Sequence, residues 1–340
     1  MTVSFVIPHR RRPDLLVSAL ETLRAQRLPA GSDREVVVVD NASADGSAEV
    51  AEAKGARVLR LERNEGVSRA LNRGIEAASG DFVVLLNNDV ELAEDWTVRL
   101  LDALEANGAW FATGKTLDFA DRNRIDGAGD AMCRGGAAWR LGHGRIDGPV
   151  FGDARTTYFP SATAALFRRE FFVRIGGLEE SFFAYLEDVD LGLRAGLADL
   201  KGVYVPAARA FHRGSQTAGA WSGPTTRWIT SHQLLLLAKY YSLGMLLRFA
   251  APIVAAQLLW ATLAISRGRG LDWARGAAEG LRRAPALRRD TALLRCDTIR
   301  LRAVLDAAER EIADFQRRTG WDTYWKWYFR LAWPPAEKSA

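Results

Sequence analysis

The stretch Phe82 to Asp89, FVVLLNND, decides the fold, because an uninterrupted apolar run ends there in two amides and a carboxylate. Two earlier runs share its character. Val3 to Ile7 (VSFVI) leads into Pro8 and His9, and Glu35 to Val39 (EVVVV) leads into Asp40 and Asn41. Short β-branched runs separated by longer amphipathic segments are the pattern of a mostly parallel sheet covered by helices on both faces. In such sheets ligands lie beyond the carboxyl ends of the strands, where Pro8, Asp40 and Asp89 all fall.

Helical spacing fills the intervals. Pro13 suits the first turn of a helix to about Gln26, with Leu15, Leu16, Ala19, Leu20 and Leu23 on one face. The polar loop Asn41 to Gly46 precedes a helix to about Lys54. Ala56 to Leu61 reads as a third strand, Val67 to Ala78 as a helix and Asp81 to Leu86 as a fourth strand. From Asp118 to Tyr158 the text is glycine-rich and aperiodic, which predicts loops and short strands around a cleft. Regularity returns with a strand at Ala162 to Phe167 and a short helix at Arg169 to Ile175, stopped by Gly176 and Gly177. Glu187, Asp188 and Asp190 open a helix to about Leu197, and Val203 to Val205, before Pro206, is the last strand.

A chain of 340 residues allows one large domain or two, and its character changes near residue 232. Residues 1–232 alternate strand and helix, whereas 233–340 are long helical text. Cys133 and Cys296 are the only cysteines, too distant for a disulfide framework or a CxxC site, so a reducing compartment is expected. The first residues enter a strand without the charged and apolar regions of a secretion signal. Phe249 to Ser266 (FAAPIVAAQLLWATLAIS) is the longest uncharged apolar segment. About 18 residues is the lower edge for crossing a bilayer, and Pro252 and Gln257 interrupt the run, so a re-entrant or in-plane helix fits as well as a span.

Arginines outnumber acids from Arg267 to Arg310, and basic residues beside an apolar segment suit an anionic cytoplasmic lipid surface. A buried helix with solvated arginines after it is the alternative. Nucleic acid is not expected, because the arginines are not interleaved with stacking aromatics. On a helix read as Asp290 to Arg317, the stripe Leu294, Thr298, Leu301, Leu305, Ala308, Ile312 and Phe315 can pack on its own domain or pair with a second copy. The tail aromatics Trp321, Tyr324, Trp325, Trp327, Tyr328, Phe329 and Trp333, among Lys326 and Arg330, suit a headgroup interface or a docking surface.

Four elements carry chemistry. Asp40 can accept a hydrogen bond from the imide of a pyrimidine, with Pro8 and His9 shaping the neighbouring wall, or it can cap the next helix. Asp89 can bind a divalent ion shared with diphosphate oxygens, or NND is a turn without an ion. In Glu187, Asp188 and Asp190 crowded acids raise a pKa toward that of a general base. Acids in a first turn also suit the helix dipole, and Asp190 can pair with Arg194. His212, in FHRGSQT, suits a manganese or zinc ion, or is a polar surface residue.

Taken in order, VSFVIPHRRRPDLL, VVVVDNASADGS, NEGVSRALNRG, FVVLLNND, ATAALFRRE, GGLEESFFAYLEDVDLGLR and VPAARAFHRGSQT resemble the family 2 inverting glycosyltransferases of GT-A fold. The bacterial rhamnosyltransferase-like branch is the nearest in pattern, and the resemblance runs from about Thr2 to about Lys239. It implies an α/β GT-A nucleotide-diphospho-sugar transferase fold with a helical, membrane-associating C-terminal extension. It implies that Asp40 contacts the base of the donor, with Pro8, His9, Arg11 and Asn41 at that pocket, Asn64 and Asn72 near the nucleotide, and Asn88 at the diphosphate. Asp89 and His212 would hold Mn2+ or Mg2+, and Asp188 would be the catalytic base, supported by Glu187, Asp190 and Arg194. One carboxylate stands where the family often has two, which implies a weakly held ion. The implied partners are a nucleotide-sugar donor, dTDP-rhamnose or another dTDP- or UDP-sugar, and a lipid-linked or polysaccharide acceptor at the cytoplasmic face of the inner membrane. A different hexose donor, or a catalytically silent nucleotide-sugar-binding subunit of an assembly complex, is the alternative.

Overall fold

Side chains alternate across a strand, so a strand apolar at every position needs a core on each side. The computed structural model, which describes residues 1–214, 221–295 and 297–332, has that arrangement; Ser215 to Thr217 of the FHRGSQT motif, Cys296 and Trp333 lie outside these residues. Val3, Phe5 and Ile7 point into one core with Val38, Phe82, Val84 and Leu86. Val6, Val37, Val39, Val83 and Leu85 point into the other.

The chain divides into two compact units, Met1–Gly129 with Gly142–Thr217, and Asp130–Leu141 with Ala218–Ala340. The first unit begins with β1 (Thr2–His9), α1 (Pro13–Arg24), β2 (Asp33–Asp40), α2 (Ser47–Ala53), β3 (Arg57–Arg60), α3 (Val67–Ala77) and β4 (Phe82–Leu86). It continues through β5 (Val90–Leu92), α4 (Trp96–Ala106), β6 (Phe111–Asp118) and β7 (Ile125–Gly127). The hairpin β8 (Asp130–Met132) and β9 (Ala138–Arg140) belongs to the second unit. The first unit resumes with β10 (Arg155–Thr157), β11 (Ala164–Arg168), α5 (Arg169–Ile175), α6 (Glu187–Leu197) and β12 (Gly202–His212). Its sheet has the order β10-β12-β6-β11-β4-β1-β2-β3, with β5 on β12 and β7 on β6. Helices α1 and α4 cover the first core, and α3, α5 and α6 cover the second.

The pairs β1–β2, β1–β4, β2–β3 and β6–β12 are parallel. β11 runs antiparallel between β4 and β6, so its beginning lies where β4 ends. β12 is longer than the Val203–Val205 expected, because Pro206 does not stop it. The register against β6 shifts between Val205 and Arg209, and a proline is tolerated where the ladder is already broken.

The second unit holds α7 (Gly223–Tyr240), α8 (Leu243–Arg248), α9 (Ala250–Ser266), α10 (Gly270–Asp290), α11 (Thr298–Thr319) and α12 (Thr323–Leu331). The division expected at residue 232 falls inside α7 and is replaced by one at its approach. Gly276 and Gly280 let α10 press on α7: a Cβ at Gly276 would stand 2.4 Å from the Arg227 carbonyl oxygen. The β8–β9 turn is clamped within this unit. Arg134 pairs with Glu309 at 2.8 Å, Tyr241 donates to the Arg134 carbonyl at 2.9 Å, and Gly135 N–H donates to the Tyr328 hydroxyl. Burial pushes the Cys133 thiol up to about 12, which leaves it inert as a nucleophile.

The last long helix starts at Thr298 rather than Asp290, with Asp297 capping it by accepting from Arg300 N–H at 2.8 Å. Leu294 lies on a separate short turn. Leu301, Leu305, Ala308, Ile312 and Phe315 are buried in the chain, so this stripe is not a free seam for a partner helix. The apolar segment forms the 17-residue α9, and among the described residues no helix is long and apolar enough to cross a membrane.

Gly74 of α3 gives a test of how closely this helix sits on β1, since a Cβ there would come within 2.2 Å of Val6 Cγ1. Alanine is favoured over glycine in a helix by about 1 kcal/mol, but overpacking a core costs about 1–3 kcal/mol. Gly74→Ala is therefore expected to lower the urea midpoint. An unchanged or raised midpoint would mean that the contact relaxes without strain.

Candidate active site

The three residues that follow β4 each tie to a different neighbour. Asn87 N–H donates to the Thr163 carbonyl at 3.0 Å, just before β11. The Asn88 amide donates to His9 Nδ1 at 2.8 Å, at the end of β1. Asp89 Oδ1 lies 3.3 Å from His212 Nε2, at the end of β12. One tripeptide thus gathers the ends of β1 and β12 and the start of β11 around the end of β4.

His9 sits opposite Asp40 in the β1–β2 register, and Pro8 opposite Val39. Burial lowers the His9 pKa, offset in part by the charges of Asp40, Asp45 and Asp14. An amide NH2 can only donate, so the neutral ring carries its proton on Nε2. That nitrogen is buried and has no hydrogen-bond partner among the described residues, which leaves a donor for an incoming ligand. Asp40 is buried and accepts from Ser43 N–H at 3.1 Å. Arg11, exposed and with φ 60°, donates its N–H to Ser43 Oγ at 2.8 Å.

His212 has a carboxylate on each ring nitrogen, with Asp126 Oδ2 2.8 Å from Nδ1. Burial disfavours the imidazolium, but the hydrogen bonds and charges of Asp126 and Asp89 outweigh it and push the pKa up to about 9. Among the described residues no group of three His, Cys, Asp or Glu side chains is arranged to hold a metal ion. Asp126 is turned to the far nitrogen, which leaves Asp89 and His212 as a pair. Two ligands at right angles on an octahedral ion with bonds of about 2.1 Å stand about 3 Å apart. The 3.3 Å between Asp89 Oδ1 and His212 Nε2 fits that spacing. A carboxylate on the other nitrogen is the usual means of aiming a metal-binding imidazole.

Asp188 lies in the first turn of α6 and is half-buried. Its Oδ2 accepts from Ala162 N–H at 3.4 Å, and the next residue, Thr163, receives Asn87. The acid is therefore one linkage away from the end of β4. Its approach is fixed by Tyr185 and Leu186, both in the left-handed region at φ 71° and 67°. The start of α3 holds the segment before them. Val67 N–H donates to the Phe183 carbonyl at 2.7 Å, the Ser68 hydroxyl donates to the Phe182 carbonyl, and a Cβ on Gly66 would stand 2.4 Å from the Phe183 oxygen.

Asn41, Asn64 and Asn72, expected beside a nucleotide, have their amides engaged in this frame. Asn41 donates to the Gly66 carbonyl at 3.0 Å and accepts from Glu65 N–H at 2.8 Å. Asn64 accepts from Gly66 N–H. Asn72 accepts from Leu178 N–H at 2.7 Å and donates to the Leu178 carbonyl at 2.9 Å. Asp190, fully buried, pairs with Arg194 at 3.0 Å, and Arg194 donates to the Gly177 carbonyl at 2.7 Å. The asparagines hold backbone at Glu65, Gly66 and Leu178, and the Asp190–Arg194 pair ties α6, whose first turn carries Glu187 and Asp188, to Gly177. Asp126 was not found from the sequence, where it is one of several acids, with Asp118, Asp121 and Asp130, in aperiodic text. Nor was the cleft of about 340 Å³ lined in part by Arg12, Asp118, Phe119 and Arg213, where the Arg213 guanidinium lies 3.4 Å above the Phe119 ring.

A mixed sheet, not the mostly parallel one expected, whose strand ends present Asp40, Asp89 and His212, with an acidic helix start tied to the same edge, defines the class of GT-A-like glycosyltransferases. Residues 4–176 match the model of glycosyl transferase family 2, and the chain belongs to that family. It is similar to the O-antigen biosynthesis protein RfbC of Myxococcus xanthus, 30% identical over 242 residues that make up 68% of this chain and 19% of that one. It thus spans about a fifth of that relative's length. It is also similar to the N-acetylglucosaminyl-diphospho-decaprenol L-rhamnosyltransferase of Mycobacterium tuberculosis, 30% identical over 208 residues, 54% of this chain and 68% of that one. Among solved structures, the mannosyltransferase PcManGT from Pyrobaculum calidifontis in complex with GDP-Man and Mn2+ shares the fold. The TM-score is 0.52 at 17% identity over 94% of this chain and 87% of that one.

Since the His212 pKa of about 9 lies above its ordinary 6.5, its pairing stabilises the fold fully below about pH 6.5, and that contribution is lost as pH rises through about 9. Asp126→Asn is expected to shift the titration downward. NMR titration of His212 in the metal-free protein measures both. A wild-type imidazole titrating at or below its ordinary value would show that the two carboxylates do not face it in solution.

Proposed function

We propose that the protein transfers a hexose, with inversion, from a pyrimidine nucleotide-diphospho-sugar to a hydroxyl of a lipid-linked or cell-envelope glycan. The observation that carries this reading is the meeting of Asp89 and His212 beyond β4, with Asp188 tied to the adjoining segment. dTDP-rhamnose is the donor we favour, on the likeness to a rhamnosyltransferase. Acceptors of this kind are held in the membrane, and we place the enzyme at the cytoplasmic face of the inner membrane.

Pro8, His9, Arg11 and Asp40 form the wall for the nucleotide. Asp40 accepts from the base, and His9 Nε2–H offers a donor that no protein group uses among the described residues. Asp89 and His212 would hold Mn2+ or Mg2+, which when bound neutralises the departing diphosphate. Asp126 keeps the His212 ring aimed at Asp89. The acceptor oxygen forms a bond to the anomeric carbon while the bond from that carbon to the diphosphate oxygen breaks. The bonding electrons leave with the nucleoside diphosphate, and the proton of the hydroxyl passes to the Asp188 carboxylate. Attack from the face opposite the leaving group inverts the configuration.

Calorimetric titration with dTDP-, UDP- and GDP-sugars, with and without Mn2+, tests the donor site. Metal-dependent binding of a pyrimidine donor, lost in Asp89→Asn, is expected. Binding of a different hexose donor would move the substrate and leave the chemistry. Asp188→Asn is expected to lower turnover by about 10²–10⁴-fold, the range of general-base catalysis, with donor affinity unchanged. If Asp188→Asn alters no measured property, the protein is a nucleotide-sugar-binding subunit and not a transferase.

A further inference from the structure

Helix α9 is predominantly apolar, with Gln257, Thr262 and Ser266 as its polar residues and without a charged residue from Ala250 to Ser266. Such helices belong in a core or a membrane. In α9 the small residues Pro252, Ala255, Ala256, Ala261 and Ala264 face inward. Of the large ones, Ile253, Leu259, Trp260 and Leu263 are partly buried, while three face water, Val254 at 55% exposed, Leu258 at 62% and Ile265 at 61%. Their spacings of four and seven put them on one face. Leu243 and Leu247 of α8 are exposed just before them, as are Ala250 and Ala251 between. Burial of large side chains contributes most to folding, so an arrangement with alanine inside and leucine outside runs against stability in water. An apolar patch of this kind marks a surface that something covers.

We infer that this face of α8 and α9 docks on an anionic lipid bilayer, with α9 lying in the plane of the headgroups. The inference rests on the membrane placement proposed above, and gives its surface and mode. Charge argues for this occupant. Arg248 and Arg267 are exposed at the two ends of α9, and no Asp or Glu stands between Asp199 and Asp272 in the sequence. An apolar strip with cationic ends and no acid along it matches acyl chains below phosphate groups. Two copies joined by the same face would instead set arginine against arginine in either orientation. A rise of about 1.5 Å per residue makes this helix shorter than the hydrocarbon core of about 30 Å, so it lies on the membrane and does not cross it. α12 is tied to α9 by the Tyr324 hydroxyl, which donates to the Ala256 carbonyl at 3.0 Å. It carries exposed Lys326, Trp327 and Arg330, residue types suited to a headgroup layer.

Sedimentation of the full chain with vesicles of phosphatidylcholine alone, or mixed with phosphatidylglycerol, tests the inference without sugar nucleotide or acceptor. The wild type is expected to bind the anionic vesicles, and binding is expected to weaken with salt. The double variant Val254→Glu/Leu258→Glu changes exposed positions only, and its fold is checked by circular dichroism and thermal melting. It is expected to bind about tenfold or more weakly. Arg248→Gln and Arg267→Gln are each expected to weaken binding about fivefold, on anionic vesicles alone. Absence of wild-type binding, or equal binding by the double variant, overturns the inference. So does a wild-type dimer in sedimentation velocity that the double variant disperses, since a second copy would then cover the face. Donor binding and turnover are read separately, so failure here leaves the transfer reaction standing, and failure there leaves the docking face standing.

Discussion

The tie of Asn87, Asn88 and Asp89 to three separate elements is the constraint on which the first unit's site depends. It works because β11 runs against its neighbours in the middle of a mixed sheet. A parallel strand in that place would bring its carboxyl end to Asn87; the reversed strand brings its beginning. Thr163 then meets Asn87, and the residue before it meets Asp188. The acid of α6 and the acid after β4 thereby come to one edge although about a hundred residues separate them in the chain.

Much of this was legible before the structure, for physical reasons. Val3 to Ile7, Glu35 to Val39 and Phe82 to Leu86 carry apolar side chains at consecutive positions, which only a strand covered on both faces can bury. Their ends then locate Asp40 and Asp89 without further information. What was not legible depends on pairing across long separations. Asp126 has meaning only because β7 pairs with β6 and brings it to His212. Asn41 and Asn72 sit in motifs with the residue types of a binding loop, yet their partners, Gly66 and Leu178, are backbone groups that a linear reading does not supply. Pro206 misled because its missing N–H reads as an end, and the register slip that accommodates it is invisible in sequence. Leu294 misled in the opposite way, by continuing a periodicity past the true start of α11.

The second unit shows a different use of small residues. Gly276 and Gly280 allow α10 to approach α7 more closely than any side chain would permit. Gly135 similarly sits where a Cβ would meet the Pro252 carbonyl of α9 at 2.5 Å. With α9 contributing mainly alanines to its inner side, close backbone approach and the buried Arg134–Glu309 pair add to a core built of large side chains from the other helices, among them Leu236, Tyr240, Tyr241, Leu305, Ile312 and Tyr328. Breaking one partner of such a pair leaves a buried charge uncompensated, at a cost of about 3–5 kcal/mol. The β8–β9 turn is therefore as firmly set as the helices around it.

The left-handed pair Tyr185–Leu186 has a consequence for how the protein can vary. Two consecutive non-glycine residues at positive φ are held against their own preference, at about 1–3 kcal/mol each. Glycine at either position would relax the backbone, and a search for thermostable variants would find it attractive. The same change would widen the range of directions in which α6 can begin, and with it the placement of Asp188. Adaptation to heat and retention of catalytic alignment would then pull in opposite directions at this loop, and lineages that need both must gain their stability elsewhere in the chain.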